Sequence, residues 1–242
     1  MKITLAELEQ INQEKYQKNG LIGVFTRKHI STKISSWLAQ TPITPTQITF
    51  FSLLLGLSGI YLLSTGERYY LIGAGLLIFL SKIFDAVDGE VARLKQRCTP
   101  RGAWLDGLSD RFKENLLCLG LALGLFHQTG EVEVWFYSFL AIIGLHMLSL
   151  VLEHTGKMDK TVLGQAHQEF WLVKLAKRIG LKPQYLALQA DTYLFIIYVS
   201  ITLNQLWFTL WFIIIAINLY WLAIVVLVYQ YKKKEETNPI SE

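Results

Sequence analysis

Apolar residues in this chain gather into long runs rather than alternating with polar residues over short distances. Six such runs lie near residues 47–65, 70–85, 103–126, 134–152, 184–203 and 206–230. Each run approaches the roughly 20 residues that an α-helix needs to cross a bilayer. Only Asn204 and Gln205 separate the last two, which predicts a tight hairpin. The pattern predicts an all-α membrane protein with six transmembrane helices.

A shorter amphipathic segment precedes the first run. Its apolar residues have a spacing that places them on one face of a helix. They are Ile30, Ile34, Trp37 and Leu38. We predict an N-terminal amphipathic helix lying in the membrane interface, and the alternative is a short helix packed against the cytoplasmic side of the protein itself. The expected organisation is a cytoplasmic N-terminal segment over 1–43, a six-helix membrane domain over 44–230 and a cytoplasmic tail over 231–242.

Composition and charge placement support the membrane interpretation. The chain is 52% apolar and 17% charged, whereas soluble domains carry about 25% charged residues. If the N-terminus lies inside, nearly all basic residues outside the runs lie on the cytoplasmic side, and the opposite loops carry only Arg68. The positive-inside rule then predicts a multi-pass protein of the inner or plasma membrane with both termini in the cytoplasm. We expect no nucleic-acid partner.

Four aspartates interrupt the apolar pattern between the second and third runs. Asp85 and Asp88 are three residues apart, and Asp106 and Asp110 are four apart, so each pair shares a helix face. Two antiparallel helices could point all four carboxylates at one spot, where their repulsion calls for a divalent cation. Ligation by carboxylates alone suits Mg²⁺, Mn²⁺ or Ca²⁺ better than zinc. The alternative is that these aspartates cap helices or pair with nearby arginines.

The residues after the first aspartate pair suit a phosphate-bearing substrate. Gly89 and Ala92 are small and let a bulky group approach the backbone, and Arg93 offers a fixed charge to phosphate oxygens. Together with a divalent ion, they predict a nucleotide or diphosphate substrate.

The stretch from Asp85 to Asp110 reads D-x2-D-G-x2-A-R-x8-G-x3-D-x3-D. This pattern resembles the full signature of the CDP-alcohol phosphotransferase (phosphatidyltransferase) family at all eight fixed positions. The sequence departs from many members before the first run, where Pro45-Thr46 replaces Pro-Asn. It also lacks the arginine that phosphoinositol-type members tend to carry near the start of the fifth helix.

The resemblance implies a reaction and a set of partners. A CDP-alcohol, with CDP-diacylglycerol the expected donor, would be attacked at its β-phosphorus by an acceptor hydroxyl, releasing CMP in phospholipid biosynthesis. The four aspartates would hold one or two ions of Mg²⁺ or Mn²⁺, and Asp110 would also be the catalytic base. The implied CDP contacts are Asp88, Gly89, Ala92, Arg93, Gly102 and Thr46. The resemblance further implies a homodimer among membrane lipids.

The acceptor and the function class stay open at this point. Arg101, Arg111 and Lys113 could bind an anionic acceptor, although basic residues at these positions are also typical of a positive-inside flank. The alternative functions are a Mg²⁺-dependent membrane prenyltransferase acting on a diphosphate and a divalent-cation transporter.

Overall fold

The computed structural model describes residues 30–158 and 190–237, and these residues form helices and turns without any strand. The all-helical prediction is confirmed for this part of the chain. We number its helices α1 Thr32–Ala39, α2 Pro45–Ser64, α3 Arg68–Leu94, α4 Pro100–Thr129, α5 Glu133–Met158, α6 Ala190–Thr202 and α7 Leu206–Thr237. A tight turn with Asn204 at a φ of 57° joins α6 to the start of α7, as the sequence predicts.

Four of these helices are long and apolar enough to cross a bilayer: Pro45–Ser64, Arg68–Leu94, Glu133–Thr155 and Leu206–Lys233. The chain is thus an integral membrane protein, but the count of six spans is not confirmed. Helix α4 is 30 residues long, yet charged side chains fill much of its first half. The described part of α6 is apolar only over Tyr193–Thr202, and residues 184–189 of the predicted fifth run lie outside the described residues.

Threonine caps fix where α2 and α4 begin. The Thr44 hydroxyl accepts a hydrogen bond from the Gln47 amide at 3.3 Å, and the Gln47 side chain accepts one from the Thr44 amide at 2.8 Å. The Thr99 hydroxyl accepts a bond from the Gly102 amide at 3.0 Å. Each cap is followed by a proline, which suits the first position of a helix. Both helix starts are therefore set by the local sequence.

The described residues divide into two compact units, 30–134 with 190–209 and 135–158 with 210–237. In the first unit, α2 packs against α3 and α4. A side chain at Gly124 would meet the carbonyl of Leu63, so only glycine allows this approach of α4 to α2. In the second unit, Tyr137 of α5 packs on Trp211 of α7, with ring centroids 4.9 Å apart.

The apolar face of α1 packs largely on the protein itself. Ile30, Ile34 and Leu38 contact a cluster of α3 side chains that includes Val87. Trp37, the fourth member of the predicted face, is 65% exposed. The interfacial position of α1 is therefore not confirmed, and its contacts match the alternative of a helix packed against the protein.

Two serines add polar contacts to this packing. The hydroxyls of Ser31 and Ser35 donate hydrogen bonds to the two carboxylate oxygens of Glu90, at 3.0 and 2.7 Å. All three residues are buried. Because Glu90 lies on α3 between Asp88 and Arg93, α1 braces the helix that carries the first aspartate pair.

Candidate active site

Three of the four aspartates come together where α3 passes α4. One carboxylate oxygen from each of Asp85, Asp106 and Asp110 lies within 4.8 Å of the others, and we call these residues the carboxylate cluster. Asp106 and Asp110 are one turn apart on α4, whose first turn is held by the Thr99 cap. The cluster thus arises from helix spacing on two crossing elements.

Two lysines lie against the cluster. The Lys82 ammonium is 2.7 Å from Asp85 Oδ2 and 3.8 Å from Asp110 Oδ2. The Lys113 ammonium is 2.9 Å from Asp85 Oδ1 and 3.1 Å from Asp110 Oδ1. Both oxygens of Asp85 therefore contact a lysine. The sequence analysis missed Lys82. Its signal was the i,i+3 spacing to Asp85, which matches the spacing between Asp110 and Lys113.

The cluster has the chemistry of a site for a hard divalent ion. Its ligand atoms are all carboxylate oxygens, which suit Mg²⁺ or Mn²⁺. Asp106 Oδ1 is buried and has no hydrogen-bond partner among the described residues. A buried oxygen of this kind calls for an explanation, and an ion is one of the usual ones. Asp85, Asp106 and Asp110 are thus suited to hold such an ion.

Asp88 is not part of the carboxylate cluster. Its side chain is buried, and its Oδ2 accepts a hydrogen bond of 2.6 Å from the hydroxyl of Thr49 on α2. Thr49 Oγ1 also lies 3.2 Å from the carbonyl of Pro45, one turn earlier. Sequence reasoning missed Thr49, and its only sequence signal is its position one turn after Pro45-Thr46.

A large open pocket of about 470 Å³ lies beside Asp88 and Asp106, between the start of α2, the end of α3 and the start of α4. We call it the Arg93 pocket. All six residues that the family resemblance implies as CDP contacts line it: Thr46, Asp88, Gly89, Ala92, Arg93 and Gly102. Arg97 contributes a second guanidinium group. The buried Nε of Arg93 has no hydrogen-bond partner within the described residues, so the pocket wall holds a donor that an anionic ligand could engage.

A second, much smaller cavity, of about 50 Å³, adjoins the cluster through Asp110. We call it the Lys113 cavity. Its polar wall contains Ser81, Lys82, Asp110, Lys113, Glu114 and Tyr198. Because Asp106 lines the Arg93 pocket and Asp110 lines the Lys113 cavity, the carboxylate cluster borders both spaces.

The three basic residues proposed for an anionic acceptor have different positions. Lys113 lines the Lys113 cavity. Arg111 forms an exposed ion pair with Glu114 at 2.8 Å. Arg101 is exposed and lines neither space. Of the three, the structure brings only Lys113 to the aspartates.

Comparison with known proteins adds independent information. A family model described as CDP-alcohol phosphatidyltransferase matches residues 42–229. The chain is 33% identical over 135 residues to the bifunctional IPC transferase and DIPP synthase of Thermococcus kodakarensis, a match covering 56% of this chain and 29% of that protein. It is also 33% identical over 120 residues to the archaetidylinositol phosphate synthase of Pyrococcus horikoshii, covering 48% of this chain and 57% of that protein. The matches to the bifunctional relatives thus span less than a third of their length.

A solved structure supports the fold. The apo phosphatidylinositol phosphate synthase of Mycobacterium tuberculosis superposes with a TM-score of 0.51 at 18% identity, over 87% of this chain and 99% of that chain. At this identity the likeness concerns the fold alone.

Proposed function

This chain belongs to the CDP-alcohol phosphatidyltransferase family, and from that premise we propose that it transfers a substituted phosphate group from a CDP-alcohol to an acceptor hydroxyl, releasing CMP. One observation carries the proposal: the six residues assigned to CDP contacts line one pocket, and that pocket ends at the carboxylate cluster. The proposed donor is CDP-diacylglycerol, because a donor anchored in the bilayer suits an integral membrane enzyme. A Saccharomyces cerevisiae relative, 32% identical over 107 residues, is named for CDP-diacylglycerol.

In the proposed reaction, the diphosphate of the donor lies in the Arg93 pocket, where Arg93 and Arg97 neutralise its oxygens. Asp88, held by Thr49, and the small residues Gly89 and Ala92 shape the wall beside it. Asp85, Asp106 and Asp110 would hold a Mg²⁺ or Mn²⁺ ion, which supplies charge stabilisation to the diphosphate and to the departing CMP.

We propose that the acceptor enters through the Lys113 cavity. Asp110 lines this cavity and would lie beside the hydroxyl group of the acceptor. Asp110 takes the hydroxyl proton, the acceptor oxygen forms a bond to the β-phosphorus, and the bond from that phosphorus to the CMP oxygen breaks. Lys113, 3.1 Å from Asp110, orients the carboxylate for this role. The two lysines and Glu114 on the cavity wall favour a polar or anionic acceptor.

The finer membrane arrangement is also part of the proposal. We infer that α4 and α6 complete six spans, that both termini and the active site face the cytoplasm, and that the enzyme is a homodimer. The placement of basic residues supports the orientation. The length of α4, 30 residues or about 45 Å, is sufficient for a span whose charged first turns extend beyond the hydrocarbon.

The test is a panel of CDP-alcohols, acceptor alcohols and one prenyl diphosphate, supplied to the purified membrane protein with Mg²⁺ or Mn²⁺. We expect CMP release only with a CDP-alcohol and an acceptor together. Asp110→Asn should abolish turnover while donor binding survives, whereas Lys33→Met, which removes an exposed charge on α1, should retain activity. Product formed from the prenyl diphosphate instead would contradict the proposed reaction. Unchanged turnover in Asp110→Asn would contradict the role of Asp110 as the base.

A further inference from the structure

Lys95 lies at the end of α3 and contacts the connection between α1 and α2. Its ammonium group donates hydrogen bonds to the backbone carbonyls of Thr41 and Ile43, at 2.7 and 2.5 Å. These acceptors are 54 and 52 residues away along the chain. Within the described residues Lys95 pairs with no carboxylate. A lysine that only flanks a membrane span keeps its ammonium group in water, whereas this ammonium group joins two distant segments.

From these contacts we propose that Lys95 is a positioning residue for the CDP-alcohol. It holds the start of α2 against the end of α3 and thereby sets the width of the Arg93 pocket. The inference rests on the proposed function and adds a residue to it. Lys95 occupies a position that the family signature leaves unspecified, and it lines neither the Arg93 pocket nor the Lys113 cavity. It would therefore act on the donor through the pocket walls.

The connection that Lys95 holds is short and stiff. Only the five residues 40–44 join α1 to α2. Pro42 lies between the two carbonyls that Lys95 contacts, and Pro45 begins α2. Proline fixes its own φ and restricts the residue before it, so this segment has few alternative conformations. A hold on its carbonyls is therefore transmitted to the first turn of α2.

Helices α2 and α3 each supply part of the pocket wall, and two contacts join these parts. The first is the hydrogen bond of 2.6 Å from Thr49 to Asp88. The second is the Lys95 contact, which lies seven residues further along α3, or about 10 Å. The stretch of α3 between the two contacts lines the Arg93 pocket through Gly89, Ala92 and Arg93. Without the Lys95 contact, the walls are joined at one level and the pocket can widen beside these residues.

The acceptor side lies beyond the first of these contacts. The Lys113 cavity is lined by α2 from Gly56 onward and by α3 up to Lys82. The bond between Thr49 and Asp88 therefore lies between Lys95 and that cavity along both helices. Loss of the Lys95 contact should affect the donor pocket and leave the acceptor cavity in place.

The experiment measures CMP release by the full chain in detergent or nanodiscs, with the CDP-alcohol and acceptor that give the highest wild-type activity. Each concentration is varied in turn. In Lys95→Met we expect KM for the CDP-alcohol to rise about tenfold, the loss that corresponds to one charge-assisted hydrogen bond. KM for the acceptor and kcat should change by less than about threefold. Lys95→Arg, which keeps the charge and the donors, and Lys33→Met, which removes an exposed charge from α1, should match the wild type.

Hydrogen exchange in the donor-free protein separates positioning from a direct attraction between the Lys95 charge and the donor. Positioning predicts faster exchange over residues 41–49 in Lys95→Met than in the wild type or in Lys95→Arg. Unchanged exchange together with a raised donor KM would overturn the inference, because the lost charge would then act on the diphosphate directly.

The kinetic outcomes also separate this inference from the proposed function. Wild-type CMP release with an unchanged donor KM in Lys95→Met, or with equal losses for donor and acceptor, would overturn the inference alone. Absence of CMP release by the wild type from every CDP-alcohol would refute the proposed function and this inference with it. If Lys95→Met is not monodisperse, Lys95→Gln, which removes the charge and shortens the side chain, decides by the same criteria.

Discussion

Replacing Thr49 by valine removes one hydroxyl and keeps the shape of the side chain. That hydroxyl donates a 2.6 Å hydrogen bond to the buried carboxylate of Asp88, on the wall of the Arg93 pocket. A hydrogen bond to a charged group contributes about 1.5–3 kcal/mol. If this bond fixes Asp88 for the donor, its loss should lower kcat/KM for the CDP-alcohol by about 10- to 100-fold.

The assay compares Thr49→Val with Thr49→Ser, which keeps the hydroxyl and loses one methyl group. CMP release is measured as a function of donor and of acceptor concentration separately. We expect the valine variant to lose kcat/KM for the donor with little change in the KM of the acceptor, and the serine variant to stay within about threefold of the wild type, since a lost methyl group costs little in comparison. Equal behaviour of the two variants, or a loss confined to the acceptor, would refute the reasoning that Thr49 acts through Asp88.

Three further predictions test other contacts. Ser35→Ala should weaken the packing of α1 on α3, because Glu90 loses a buried hydrogen-bond donor. We expect the free energy of unfolding to fall by about 1–3 kcal/mol and hydrogen exchange in α1 to rise. Equal exchange in the variant and the wild type would contradict this prediction. Asp106→Asn should weaken Mn²⁺ binding by at least about tenfold in a titration without donor, because it removes one charged ligand; unchanged affinity would exclude Asp106 as a ligand. Gly124→Leu should lower the melting temperature, because its side chain would meet the carbonyl of Leu63, whereas Gly107→Leu, which has open space, should not.

The local features of the site were predictable from sequence because helix spacing is a short-range rule. Intervals of three and four residues place each aspartate pair on one face, and the small residues and Arg93 follow on the same helix. The six residues assigned to CDP contacts also line one pocket. That assignment came from the family resemblance, and the spacing alone predicted only a metal and a phosphate compound.

Contacts between distant helices were not predictable in the same way. Thr49 and Asp88 are 39 residues apart, and Lys113 and Asp85 are 28 apart. Their pairing depends on how α2, α3 and α4 pack, which no interval along the chain encodes. The amphipathic pattern of α1 was equally ambiguous, because an apolar face fits a bilayer and the side of α3 alike, and only the cluster around Val87 distinguishes the two.

Helix α4 is not among the four apolar candidate spans because of its charged residues, and several of these residues form the carboxylate cluster and its contacts. Between Arg101 and Glu114 this helix carries the second aspartate pair and Lys113, and an isolated segment of this kind is poorly suited to hydrocarbon. Packed against α3, its charged groups find partners: Asp110 and Lys113 pair with Lys82 and Asp85. These partly buried charges therefore stabilise one another. Because of this coupling, we expect the loss of one charge, as in Lys82→Met, to change ion binding by the remaining carboxylates.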